Sequence, residues 1–128
     1  DGIVYTPHTT VAGLLQKETG KEPFASPPAL LEAAKSRASS RWVDQRLHDV
    51  PVCFLANGDT TGGNSGSPVM DGQGRLIGLN FDRVFEAVAG DFGWNPDRSR
   101  NVICDIRYVL WVVESVFPSP GLLKELGC

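Results

Sequence analysis

The chain has 128 residues, 41% hydrophobic and 21% charged, with a formal net charge of -3. That length fits one domain or part of one and can bury a core of its own, and the apolar fraction argues against disorder. The charge is too mild to imply nucleic acid or a membrane surface as partner, and no apolar run approaches the roughly 20 residues needed to span a bilayer.

In chain order, Asp1 to Gly20 reads as a short strand or extended segment followed by a brief amphipathic turn. Its opening, "DGIVYTPHTT", has no basic n-region and no initiator Met, so no signal peptide is visible, and the abrupt start reads as that of a fragment or a processed chain. "SPPALLEAAKS" predicts a helix with Ser26 as N-cap, Pro27 in the first turn and Leu30, Leu31 and Ala34 on one face. Arg41 to Asp49 is polar and ambiguous. "VPVCFLANGD" predicts a strand at about Val52 to Leu55, stopped by the Asn57-Gly58 turn signal.

A glycine-rich loop follows, and then "SPVM" and "RLIGLNF" read as strands joined through "DGQG". The second is apolar on both faces, which places it inside a sheet or barrel. "NVIC" is a further strand. Asp105 then caps a helix through Ile106, Val109, Leu110 and Val113. Pro118 ends it, and Ser119 and Pro120 start a last short helix that stops near Gly127. The order helix, strands, terminal helices fits a mainly β fold, a β-barrel with helical additions, better than a βαβ unit. The aromatics Trp42, Phe85, Trp94 and Trp111 read as core residues.

Cys53, Cys104 and Cys128 show no CxxC spacing, and two histidines, His8 and His48, complete no zinc pattern. Cys53 and Cys104 fit either a disulfide or two small buried hydrophobes, so cysteine usage leaves the compartment open.

The chemistry concentrates in "TTGGNSGSPV", Thr60 to Val69. Acyl transfer needs a nucleophile and donors aimed at the developing oxyanion, and adjacent backbone N–H groups supply them where the chain bends sharply. Gly62-Gly63-Asn64-Ser65-Gly66 meets that need, with the Ser65 hydroxyl presented and the Gly63 and Ser65 N–H groups converging. A plain tight turn is the other reading, and a phosphate loop lacks its Gly-Lys-Ser/Thr ending. The "DGQG" turn adds a geometric expectation. Antiparallel partners should have numbers summing to about 145, so Gly63 faces Asp82, and Asp82-Arg83 returns to the Ser65 end of the sheet, where neighbouring strands lie about 4.8 Å apart. On a regular strand those two side chains point to opposite faces, and a bulge would change that.

"GNSGSP" resembles the nucleophile motif of chymotrypsin-like serine peptidases, whose fold is a pair of antiparallel β-barrels. The resemblance implies Ser65 as nucleophile and Gly63, Asn64 and Ser65 as the oxyanion segment. "GGNSGSPVMDGQGRLIGLNFDRVFEAVAGD" with "NVICDIRYVL" is more narrowly similar to the C-terminal part of bacterial serine dipeptidyl-peptidases, the exopeptidase family of dipeptidyl-peptidases 7 and 11. "DGIVYTPHTTVAGLLQKETGKEPF" resembles the point where that family's chain re-enters its catalytic domain after a helical insertion. Residues 1–128 would then be the C-terminal portion of the catalytic domain: the C-terminal barrel plus terminal helices, without the N-terminal barrel. The resemblance implies that Asp82 binds the substrate's free N-terminal amine. It also implies that Arg83, where family members selecting apolar residues carry glycine, selects Asp or Glu. A guanidinium suits that task because it grips a carboxylate with two parallel hydrogen bonds. Without the resemblance, a turn-capping Asp and a solvated Arg are the plainer readings.

A serine hydroxyl needs a base, in such enzymes a His oriented by Asp. Extended chain from His48 to Ala56 spans roughly 26 Å, which puts His48 at the wrong end of the strand for a hydrogen bond to Ser65, and His8 has no Asp nearby in sequence. The family's His and Asp lie in the half ahead of the insertion, so this chain alone is expected to be inactive. Two rivals remain: a glutamyl endopeptidase, which shares "GNSGSP", and a non-catalytic peptide-binding module that lost its base. The resemblance further implies peptide substrates with a free N-terminus and an acidic second residue, no metal or cofactor, a homodimer, and a periplasmic or cell-surface location.

Overall fold

The computed structural model describes residues 6–87 and 93–128. Its elements are β1 (His8–Thr10), α1 (Val11–Lys17), α2 (Pro28–Ala34), a 3-10 turn (Arg37–Ser39), β2 (Pro51–Ala56), β3 (Pro68–Met70), β4 (Leu76–Arg83), β5 (Asn101–Asp105), α3 (Ile106–Trp111), a π-helical turn (Val112–Val116) and α4 (Pro120–Glu125). The strands form an open five-stranded sheet in the order β1-β2-β5-β4-β3, and β2–β5, β5–β4 and β4–β3 pair antiparallel. β4 is internal, as its two apolar faces predict. The chain divides into two compact units, one of Asp1–His8 with Cys53–Ile106 and one of Thr9–Val52 with Arg107–Cys128.

The sheet unit is tightly built where β4 meets β5. Ile103 is fully buried, and Gly78, paired with Asp105, lies so close to β5 that a Cβ would collide with the Ile103 side chain and come within 2.6 Å of the Cys104 carbonyl. Cys53 and Cys104 are direct partners across β2 and β5, and no disulfide is present among the described residues. Burial pushes the Cys104 thiol up to about 11, helped by neighbouring Cys53 and Asp105, which keeps it a protonated, poorly nucleophilic thiol.

The helical unit packs Val11, Leu30, Ala34, Val50, Trp111 and Val116 into one cluster. Thr10 precedes α1 without a side-chain cap, and Asp49 does that work from across the unit. Its carboxylate accepts the Ala12 N–H at 2.7 Å, the Val50 N–H at 2.9 Å and Arg37 Nε at 2.8 Å. Burial raises the Asp49 pKa, but these donors outweigh it and hold the group below its ordinary value. In the same unit Glu114 takes Trp42 Nε1 at 2.7 Å and Arg41 at 2.9 Å, while Arg41 also lies over the Trp42 ring.

Three sequence expectations need correction. The α2 N-cap is Pro27, without a side-chain cap, because the helix starts one residue later than a Ser26 cap requires. The predicted helix from Ile106 widens into a π turn, in which the Phe117 N–H reaches the Val112 carbonyl at 2.9 Å; Pro118 lacks the N–H that would continue the regular ladder. Asp105, the buried last residue of β5, stands immediately before α3, at the position read as its cap. Trp111 is core and Trp42 half-buried, but Phe85 and Trp94 are 86% and 44% exposed because they stand in the connection between β4 and β5, outside the ladder.

Candidate active site

The loop before β3 is held by its own polar groups. The Asn64 side chain accepts the Thr61 N–H at 2.7 Å, the Asn64 N–H donates to the Thr61 carbonyl at 3.2 Å, and the Ser67 N–H donates to the Asn64 carbonyl at 3.1 Å. Gly63 and Gly66 have φ of 96° and 85°, a left-handed region that only glycine enters without strain. The loop is docked on β4, with the Gly66 N–H on the Asn80 carbonyl at 2.7 Å and the Asn80 N–H on the Ser67 carbonyl at 2.9 Å. Ser65 Oγ donates to the Phe81 carbonyl at 3.2 Å. Among the described residues, neither the Gly63 nor the Ser65 backbone N–H donates to an acceptor.

The hairpin register differs by about two from the expected sum of 145: Pro68 pairs with Leu79, Val69 with Gly78 and Met70 with Leu76, with an irregularity after Val69. The extra residues come from a wider turn, in which Asp71 accepts the Gln73 N–H at 2.9 Å and Arg75 closes back on Asp71. β3 begins only at Pro68, so Gly63 is not in the ladder and does not face Asp82. The consequence drawn from the register survives, because Ser65 lies against Phe81. A second irregularity lies just before Asp82: Asn80 pairs with Ile103 and Asp82 with Val102, leaving Phe81 as the extra residue, while Asp82 and Arg83 pair in regular register with Val102 and Asn101. A bulge re-aims the side chains that follow it.

Ser65, Asp82 and Arg83 line one cleft of about 130 Å³ together with Thr60, Thr61 and Gly62. The Asp82 carboxylate accepts the Arg83 N–H at 2.8 Å, and Arg83 Nη1 donates to the Thr60 carbonyl at 3.3 Å. Gly63 and Asn64 shape the loop from outside the lining. Sequence reasoning missed Thr60, whose carbonyl fixes the guanidinium, and Asn80, whose buried amide reaches the loop; an isolated polar residue inside the apolar "LIGLNF" run was the available signal for Asn80.

Within the sheet unit, His8 does not meet Ser65. His8 lies on β1, three strands from β4, roughly 14 Å across the sheet, while His48 belongs to the helical unit, where it is exposed with φ of 54°. Among the described residues no cluster of His, Cys, Asp and Glu could hold a metal ion, and no helix is long and apolar enough to cross a membrane.

The family model described as Peptidase S46 matches residues 1–128. The chain is 40% identical to an Asp/Glu-specific dipeptidyl-peptidase of Shewanella putrefaciens, over 98% of this chain and 20% of that protein. It is 43% identical to dipeptidyl-peptidase 7 of Porphyromonas gingivalis, over 98% of this chain and 18% of that protein. The crystal structure of Porphyromonas endodontalis DPP11 with the dipeptide Arg-Glu superposes with a TM-score of 0.92 at 36% identity, covering 99% of this chain and 18% of that one. The chain thus spans about a fifth of the length of these relatives.

Proposed function

The chain belongs to the Peptidase S46 family, and on that premise we propose that it is the C-terminal portion of the catalytic domain of a serine dipeptidyl-peptidase that releases dipeptides after Asp or Glu. On this reading the open sheet is the C-terminal barrel's share of a double β-barrel, and the His and Asp of the triad come from the remainder of the enzyme, at the periplasm or cell surface. The observation that carries the proposal is the single cleft that Ser65, Asp82 and Arg83 line together.

Ser65 Oγ attacks the carbonyl of the substrate's second residue while a histidine of the other half takes its proton. The tetrahedral oxyanion accepts from the Gly63 and Ser65 N–H groups, a contribution typically worth about 10²–10³ in rate per donor. The peptide bond breaks, the protonated amine leaves, and an acyl-enzyme remains on Ser65 for water to hydrolyse. The Asp82 carboxylate holds the substrate's N-terminal ammonium, and that contact limits the product to a dipeptide. Arg83 receives the acidic side chain, with the relatives named Asp/Glu-specific and the Arg-Glu complex of DPP11 supporting this choice.

The test is hydrolysis by the full-length enzyme of a dipeptide amide reporter with Asp or Glu in second position. Ser65→Ala should abolish turnover, and blocking the reporter's amine should abolish cleavage. Retained activity in S65A overturns the nucleophile, and ready cleavage of blocked peptides makes the enzyme a glutamyl endopeptidase instead.

A further inference from the structure

Asn80 and Asn101 are each about 5% exposed, and buried amides must be satisfied by partners. Their hydrogen bonds run in one direction. The Gly58 N–H donates to Asn101 Oδ1 at 3.1 Å, Asn101 Nδ2 donates to Asn80 Oδ1 at 2.8 Å, and Asn80 Nδ2 donates to the Asn64 carbonyl at 3.3 Å. The last acceptor belongs to the peptide group whose N–H is that of Ser65. A trans peptide is planar, with its C=O and N–H pointing in opposite directions. Fixing the Asn64 carbonyl toward Asn80 therefore fixes the direction of the Ser65 N–H.

We propose that the buried Asn80–Asn101 pair is the positioning device of the oxyanion site, holding the Asn64–Ser65 peptide plane so that the Ser65 N–H points into the cleft. The inference rests on the proposed role of Ser65. Two features strengthen it. Chains of hydrogen bonds running in one sense polarise one another, so a carbonyl that already accepts from Ser67 and Asn80 leaves its own N–H a better donor to an oxyanion. The far end of the chain also holds Gly58, two residues before the Thr60 carbonyl that anchors Arg83, so the nucleophile loop and the arginine side of the cleft share one polar spine. Neither asparagine needs to touch the reacting atoms for this.

The test uses Asn80→Asp in the full-length enzyme, a near-isosteric change that keeps an acceptor for Asn101 and removes the donor to Asn64. With one oxyanion donor worth about 10²–10³ in kcat, misaiming it should lower kcat by about 10- to 100-fold. KM and affinity for the product dipeptide should stay within about twofold, whereas affinity for a peptide aldehyde, which mimics the tetrahedral state, should fall in step with kcat. Asn101→Asp, which still accepts from Gly58 but loses the link to Asn80, should give a smaller loss of the same pattern, and it carries the test if N80D does not fold. A variant with unchanged kcat per folded enzyme, or equal losses of product and aldehyde affinity, overturns the proposal and leaves the pair a purely structural one. Labelling of wild-type Ser65 by a fluorophosphonate separates the two levels: no labelling sinks the nucleophile assignment itself, whereas labelling with an unimpaired N80D sinks the positioning role alone.

Discussion

Arg83 ends β4 with Nη1 on the Thr60 carbonyl, and that contact anchors the planar guanidinium at the cleft wall. A positioned fork meets a carboxylate in two parallel bonds, which neither lysine nor a neutral side chain reproduces. Truncating one partner of a hydrogen-bonded charge pair costs 2–5 kcal/mol when the pair is buried and less at a half-exposed position. In the full-length enzyme, Arg83→Gly should therefore lower kcat/KM on Asp and Glu reporters by about 10- to 100-fold and shift preference toward apolar residues. Reporters differing only in the second residue give the ranking directly, and an unchanged ranking removes Arg83 from the pocket. The residues of this cleft were legible from motif and resemblance, but the way they converge was not. Counting around the turn brought Asp82-Arg83 to the right end of the sheet despite a register wrong by two. The bulge at Phe81, just before them, is not announced by a Gly or Pro.

The strand that delivers these residues is fixed by a steric fit at Gly78. Its backbone conformation suits any residue; what excludes a side chain is the Ile103 methyl and the Cys104 carbonyl of β5. Gly78→Ala should force β4 and β5 apart, and overpacking of this kind costs about 1–3 kcal/mol. Thermal unfolding of the full-length variant should show that loss, and the Ser65 cleft at the end of the same strand should lose activity with it. Wild-type stability in G78A would mean that β5 yields without strain. Elements of this sort are readable where period and apolarity agree, as the internal position of β4 was. They are less readable where one helical period hides two geometries. The spacing of Ile106, Val109, Leu110 and Val113 is the same before and after α3 gives way to the π turn, so only the hydrogen bond from Phe117 marks the change. Caps supplied from afar are equally silent, as Asp49 is for α1.

At the scale of the molecule, the sheet unit carries the proposed nucleophile, while the helical unit carries two carboxylates, Asp44 and Asp49, that make it sensitive to acid. Arg107 is the chief cause of an Asp44 carboxyl held far below the usual carboxylate range, with the Leu47 and Arg46 N–H groups adding to it, and Asp49 is also depressed. A carboxyl with a lowered pKa in the fold binds fewer protons there than in the unfolded chain. Its contribution is therefore complete above the ordinary value of about 4 and is lost as pH falls through the lower folded value. Hydrogen exchange over residues 41–52 of the full-length enzyme should report this locally, because opening of one unit need not unfold the rest. Protection in that stretch should hold from neutrality down to about pH 5 and decline steadily below pH 4. Asp44→Asn removes the titrating partner of Arg107, so the variant should start with weaker protection at neutral pH and lose less of it on acidification. An identical acid profile in D44N would assign the whole effect to Asp49, whose three donors tie α1 to the segment leading into β2.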